Sequence, residues 1–448
     1  MLTVPQAIDR LQSALAAAKS AGADAADAMY VGDGSTSVSV RLGKLEDIGR
    51  SEGEEIGIRV FIGQQSASVS SSDLSPAALA IAAERAVAMA RLAPEDKWAG
   101  LAPADRLLRT ALPDLDIDDG QDPSAESLRD MAMAAEDAAR AIPGVTNSEG
   151  GGASAGRAVT ALATSTGFAG GKRSTSYGSS ASVLAGTGAD MQRDYAWHSA
   201  RHFADLEGPA IIGARAGNRA IRRLNPIKLE TAALPILFDP RISSSLIGHL
   251  VGAITGSAIT RGTSFLKDAL GTQVFGSSIT IIDDPLLPRG LRSRSFDGEG
   301  LPTQRSALIE NGMLTAWLLD AASARQLGLQ PTGHAARGTS GPPGAGASNL
   351  HLEPGTSTPA ELMAGIKRGF YVTELIGMGV NGLTGDYSRG ASGFLIEDGE
   401  LTVAVAEVTI AGNLKDMFKA LIPANDLSFR HATNVPTIRI DGMTVAGA

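Results

Sequence analysis

Phe394-Leu395-Ile396-Glu397-Asp398-Gly399-Glu400-Leu401-Thr402-Val403 reads as a hairpin, with two strand-forming runs flanking an Asp-Gly pair. Asp-Gly suits a tight type I′ turn, in which both central residues take positive φ. The same device recurs upstream, where Glu310-Asn311-Gly312 joins Ser306–Ile309 to Leu314–Leu319. A buried strand is expected at Leu234–Phe238, followed by a helix over 241–260. Residues 332–348 carry Gly333, Gly338, Gly341, Pro342, Pro343, Gly344 and Gly346 and read as a long flexible loop, functional or disordered. The region from 230 to 448 is therefore a β-rich C-terminal domain.

Working outward, the first 115 residues mix helix and strand signals. Thr3 caps a helix over 3–22, with Pro5 in its first turn and Ile8, Leu11, Leu15 and Ala18 on one face. Val38 and Val40, then Ile56, Ile58, Val60 and Ile62, alternate as strands, and Ser66–Ser72 follows a turn at Gly63-Gln64. Ser75-Pro76 opens a second helix running to about Leu92. Residues 93–121, with three prolines and an acidic run, read as a linker or surface excursion. The segment 120–225 then offers a helix from Asp122-Pro123 and several long strands, with turns expected at Gly151-Gly152 and Gly170-Gly171. A closing helix from Pro209 ends at Asn225-Pro226. The fold class is α+β: an N-terminal α+β domain (1–115), a middle α+β segment (120–225) and the β-rich domain (230–448).

Bulk properties narrow the function. The 448 residues carry a net charge of −9, which argues against a nucleic-acid partner. No apolar run approaches the ~18 residues of a membrane span, and the start has neither the basic nor the apolar region of a secretory signal. The absence of Cys removes disulfides, thiolate ligands and a thiol nucleophile, and fits a cytoplasmic location. Gly is frequent, 53 residues, while aromatics make up 4%, a balance that favours hairpins and tight loops over helical bundles.

Candidate chemistry is thin. A zinc peptidase needs convergent ligands, an open position for water and a general base. The helix at 241–260 holds His249, followed by Leu250 rather than a carboxylate, so a packed polar His is the simpler reading. His198 and His202 share one face of an expected strand but sit about 13 Å apart. Gly377-Met378-Gly379-Val380-Asn381-Gly382 matches G-x-G-x-x-G, yet no helix follows to receive a pyrophosphate. Gly390-Ala391-Ser392-Gly393 likewise lacks the helix of a nucleophile elbow. Asp283-Asp284 and Asp297/Glu299 read as solvated turn residues.

Several stretches carry a resemblance that spans nearly the whole chain. They include Gly248-His249-Leu250-Val251-Gly252-Ala253-Ile254, Thr332-Gly333-His334-Ala335, Val372-Thr373-Glu374-Leu375, Leu383-Thr384-Gly385-Asp386-Tyr387-Ser388-Arg389-Gly390 and Val408-Thr409-Ile410-Ala411-Gly412-Asn413. In these the chain resembles the TldD/PmbA family of metallopeptidases, PmbA (TldE) branch. Zinc-binding members carry a His-Glu pair on a helix, a second His further along it and a C-terminal Cys. The matching positions here are Ile247, Gly248 and Gly252, and no Cys exists. The resemblance therefore implies no catalytic or metal-binding residue in this chain, and zinc in a TldD-type partner. It implies a heterodimer with that partner, or a homodimer when alone, enclosing a channel for unfolded peptides. Candidate channel residues are His249, Glu374, Asp386, Tyr387 and Arg389, with Thr384–Gly390 expected to line the channel. Two alternatives stay open: an active metallopeptidase with an unrecognised metal site, and a noncatalytic peptide-binding protein.

Overall fold

A computed structural model describes residues 1–447. The N-terminal half is built on one six-stranded antiparallel sheet in the order β3-β2-β1-β4-β5-β6. Its strands are β1 (Ala25–Arg41), β2 (Lys44–Ile62), β3 (Gln65–Ser71), β4 (Val145–Thr164), β5 (Ala169–Ala185) and β6 (Gln192–Ala200). Because β1 pairs with β4 along most of its length, the segments before and after residues 93–121 share this sheet.

Four helices cover one face, in tandem along the long strands. α1 (Val4–Ser20) is held by a capping box between Thr3 and Gln6, and α2 (Pro76–Ala90) by a Ser75 cap. α1 packs on β1 and β4, with Ala26, Ala28, Tyr30, Val159, Ala161 and Ala163 in its core, and α2 beside it packs on β2 and β3. α3 (Ala125–Arg140) and α4 (Pro209–Arg222) pack further along. There Val38 and Val40 keep the same parity as Ala26 and Ala28, so period-two alternation gives β1 a single apolar stripe under α1 and then α3.

The glycines expected to turn the chain do something else. Gly151 and Gly152 lie within β4, and Gly170 and Gly171 within β5; the chain reverses between Thr164 and Ala169. A Cβ on Gly151 would sit 2.2 Å from the Ala132 carbonyl oxygen of α3, and one on Gly213 of α4 would sit 2.0 Å from that of Ala135. These glycines allow close backbone approach.

In the C-terminal domain, β7 (Ala232–Phe238) and the strands Arg368–Ile376, Asp386–Glu397, Glu400–Asn413 and Ile438–Ala446 form an almost entirely antiparallel sheet. Only β7 and Arg368–Ile376 run parallel. Pairing of Glu400–Asn413 with Ile438–Ala446 closes these five strands on themselves, removing their free edges. Both expected hairpins turn as read, with Asn311 and Gly312 at φ 50° and 81°, and Asp398 and Gly399 at 47° and 86°. The strand after Asn311-Gly312 is only Met313–Leu314.

Other expectations change. The helix over 241–260 is two pieces, α5 (Pro240–Ala253) and α6 (Gly256–Thr260). They part where the Ile254 carbonyl accepts from Leu318 and the Gly256 amide donates to Leu318. Residues 93–121 are anchored: Leu107, Leu115 and Ile117 are buried, and the Arg325 guanidinium donates to the carbonyls of Trp98, Gly100 and Leu101. The glycine-rich loop 332–348 is packed, with Ala335–Ala336 paired to Gly344–Ala345 and with His334 and Arg337 buried.

Nor are the acids of 283 and 297–299 solvated: Asp283, Asp297 and Glu299 are 1%, 1% and 3% exposed. Backbone amides of Glu299, Leu301 and Ala335 donate to Asp297 at 2.9–3.1 Å, and that of Ala321 to Glu299 at 2.7 Å. Nearby, on the sheet face turned away from the four helices, Asp27 is met by Arg59 at 3.2 Å and by loop residue Arg337 at 2.6 Å. This polar contact helps join the sheet to the C-terminal domain.

Candidate functional site

α5 begins at an Asp239 cap with Pro240 in its first turn and buries Ser243, Leu246, Ile247, Leu250 and Ala253 against the closed sheet. That leaves Gly248 and Gly252 facing outward, and a Cβ at either would meet no atom within 4 Å. His249 lies between the two faces, its ring edge-on to Tyr387 with centroids 6.0 Å apart. Tyr387 and Arg389 share one face of the Asp386–Glu397 strand by alternation.

Two polar atoms here, His249 Nε2 and Arg389 Nε, are buried without a protein hydrogen-bond partner, and the buried Tyr387 hydroxyl has no other neighbour to bond than the Arg389 guanidinium. Burial, with the nearby Arg389 charge, pushes the His249 imidazole below its usual pKa. Burial pushes the Tyr387 phenol up to about 12, opposed by the same guanidinium. Asp386 sits on the other face, exposed, accepting from Thr384 at 2.6 Å and Asn413 at 3.0 Å. Those donors hold its carboxyl below the usual range. Asp386 and Arg389 form no ion pair, and Asp386–Gly390 is the start of a strand rather than a loop.

Arg389 lines a pocket of about 240 Å³ with Arg193, Arg223, Arg241, Ser245 and Glu374. Asp194, 1% exposed, is bound by Arg241 at 2.8 Å and Arg223 at 3.5 Å. Glu374 is bound by Arg223 and by the Ser392 hydroxyl. Among the described residues, Arg389 has no carboxylate within ion-pair reach. Through Tyr195, Arg241 and Ser244 the pocket meets a cleft of about 940 Å³ between the middle segment and the C-terminal domain. In that cleft Trp197 lies on His431, centroids 4.6 Å apart, and is 43% exposed. Glu207 lies between Arg215 at 2.7 Å and Arg430, which together, Arg215 foremost, hold its carboxyl down to about 2.

The structure thus brings together His249, Tyr387, Arg389 and Glu374 and separates Asp386. It adds Arg223, Arg241, Trp197 and Arg430, which the sequence reading missed because they arrive from four separate elements. One signal was available: Arg215, Arg219 and Arg223 recur every four residues, one positive stripe along α4.

Zinc does not fit the α5 helix. Ile247 is buried, Gly248 and Gly252 offer no donor, and a guanidinium lies beside the one imidazole. Among the described residues no three His, Cys, Asp or Glu side chains converge as a metal site. Three other histidines are hydrogen-bonded elsewhere, His198 accepting from the Glu207 amide, His202 meeting the Asp116 carbonyl and His334 pairing with Asp283 at 3.1 Å, while His351 and His431 lie against Phe429 and Trp197.

Comparison with known proteins agrees with the resemblance. Models of the PmbA/TldA metallopeptidase domain 1, central domain and C-terminal domain match residues 26–90, 118–224 and 231–447. The chain is 38% identical to Metalloprotease PmbA of Escherichia coli O157:H7, covering 97% of this chain and 94% of the relative. It is 36% identical to the Metalloprotease PmbA homolog of Haemophilus influenzae, covering 92% and 90%. Among solved structures, a proposed modulator of DNA gyrase from Bacteroides thetaiotaomicron superposes with a TM-score of 0.92 at 26% identity, over 100% of both chains. TldE from Thermococcus kodakarensis shares the fold, with a TM-score of 0.87 at 21% identity over 98% of this chain and 100% of that one. The chain belongs to the PmbA/TldD metallopeptidase family.

Proposed function

We propose that this chain is the noncatalytic, peptide-holding subunit of a cytoplasmic metallopeptidase whose zinc resides in a TldD-type partner. The observation that carries the reading is α5: where zinc-binding members place ligands, it presents two outward glycines over open space, beside a pocket rich in guanidiniums. Open space on the helix gives room for another chain, and the adjoining cleft gives an extended peptide a bed. The rim after Arg368–Ile376 supports a protein partner, since Ile376, Met378 and Leu383 are 61%, 88% and 56% exposed within a few residues.

The test is a peptidase assay on the purified chain, alone and mixed with a zinc-bearing TldD-type homologue, with elemental analysis of both. Cleavage by the mixture only, with zinc tracking the homologue, is the expected result. Cleavage by the chain alone with about one zinc per chain favours an active enzyme, and absence of cleavage from both favours a binding protein. Light scattering of the chain alone is expected to give a dimer mass.

A further inference from the structure

We infer that Arg389, with Tyr387 and His249 behind it, anchors the C-terminal carboxylate of a bound peptide, so that the subunit selects chains by their free end. The inference rests on the peptide-holding role proposed above and adds what part of the peptide is recognised.

The pocket has the electrostatics of an anion site. Four guanidiniums, Arg193, Arg223, Arg241 and Arg389, line it with one carboxylate, Glu374. Glu374 is taken by Arg223, and Arg241 by buried Asp194, while Arg193 reaches Glu149 at 3.5 Å. Arg389 is left over. A half-buried guanidinium without a counter-ion is costly unless something supplies one. Arg389 Nε and His249 Nε2 are also buried without partners, with the Tyr387 hydroxyl against the same guanidinium, so the cluster has donors to spare for a bound anion. Planar guanidinium matched to planar carboxylate is the strongest such pairing available.

The surroundings favour a peptide end over a free small anion. The pocket holds about 240 Å³ and opens into the cleft of about 940 Å³. A chain fixed at Arg389 has room to run from one into the other, past the exposed face of Trp197. Ser244 of α5 lines the way with Ile242 and Leu375, while the Ser245 and Thr373 hydroxyls donate to main-chain carbonyls, so the lining is mixed rather than a shaped apolar pocket. Such a lining tolerates varied side chains while the terminus sets the register.

The test uses the full chain without a partner. Two fluorophore-labelled pentapeptides of one sequence are compared by fluorescence anisotropy, one ending in a free carboxylate and one in an amide. The free acid is expected to bind about tenfold tighter, the worth of one charged hydrogen-bonded contact. R389Q is expected to remove the preference, and R389K and Y387F to reduce it, with circular dichroism unchanged. Equal binding of acid and amide, or an undiminished preference in R389Q, overturns the anchor and leaves the peptide-holding role standing. If R389Q fails to fold, R389K and Y387F decide, and a full preference in both overturns the anchor. Binding of neither peptide overturns the anchor and the peptide-holding role together.

Discussion

Two buried polar clusters lie where the N-terminal half meets the C-terminal domain, and they differ in how their hydrogen bonds are closed. Around Asp27, Asp297 and Glu299 every carboxylate is answered by a guanidinium or by backbone amides, although Arg337 itself makes an ion pair without a well-aligned hydrogen bond. Around His249, Tyr387 and Arg389 no carboxylate among the described residues is within ion-pair reach, and the imidazole Nε2 and the guanidinium Nε are buried without a partner in the chain. The first arrangement is what a structural joint requires. The second leaves hydrogen-bonding capacity for another molecule, and that separates a site from a strut even where both are rich in charge.

Breaking the closed cluster is expected to have the largest effect. Arg337→Met leaves Asp27 with Arg59 alone and should cost about 2 kcal/mol, the worth of one charge-assisted contact to a buried carboxylate. Urea titration reads this, and a loss under about 1 kcal/mol would mean that the joint is not load-carrying. Arg389→Met is expected to leave stability nearly unchanged, because among the described residues Arg389 has no buried carboxylate to strand.

The closed cluster also carries a pH signature. Burial, then Asp297, raises the Glu299 carboxyl to about 8 from 4.5. The folded state therefore holds a proton that the unfolded state releases. The associated stability is full below pH 4.5 and declines as pH rises towards 8, with a slope of up to ~1.4 kcal/mol per pH unit. Asp27 has the opposite sign: its carboxyl is lowered from 3.8, so its contribution is present above that value and is lost in more acid solution. Glu299→Gln should flatten stability against pH between 5 and 8, a range set by the Glu299 shift. An unchanged slope would show that Glu299 titrates normally.

The smallest expected effect sharpens the open side. Gly248→Ala places a methyl where nothing lies within 4 Å, in a helix interior. It should stabilise the isolated chain by about 0.5–1 kcal/mol, the usual helical cost of Gly. If the outward face of α5 receives a partner or peptide, the same change should weaken assembly or cleavage. A stabilised chain with undiminished cleavage would place the contact elsewhere.

What the sequence made legible follows from what is local. Thr3 and Gln6 cap α1 within four residues, and Asn311-Gly312 and Asp398-Gly399 set their own turns. His249, Tyr387 and Arg389 drew notice through short stretches of resemblance. Illegible features depended on distant partners. Gly151 looked like a turn residue because the carbonyl pressing on it belongs to α3. Asp297 and Glu299 looked solvated because burial there comes from loop 332–348 and from Ala321. Asp386 and Arg389 were grouped as channel residues by their short segment, and strand alternation puts them on opposite faces.

The closure of the C-terminal sheet sets an order for synthesis. Strand Ile438–Ala446 pairs with both β7 and Glu400–Asn413, and among the described residues no other strand pairs with both. A ribosome that has made β7 must wait for almost the whole domain before β7 gains its second neighbour. Until then an apolar strand, with Leu234, Ile236, Leu237 and Phe238 destined for the interior, stays unpaired on that edge. The N-terminal sheet acquires most of its pairings earlier, between segments made one after another. The nascent protein thus carries a finished half attached to one that is still sticky, the stage at which chaperones would matter most.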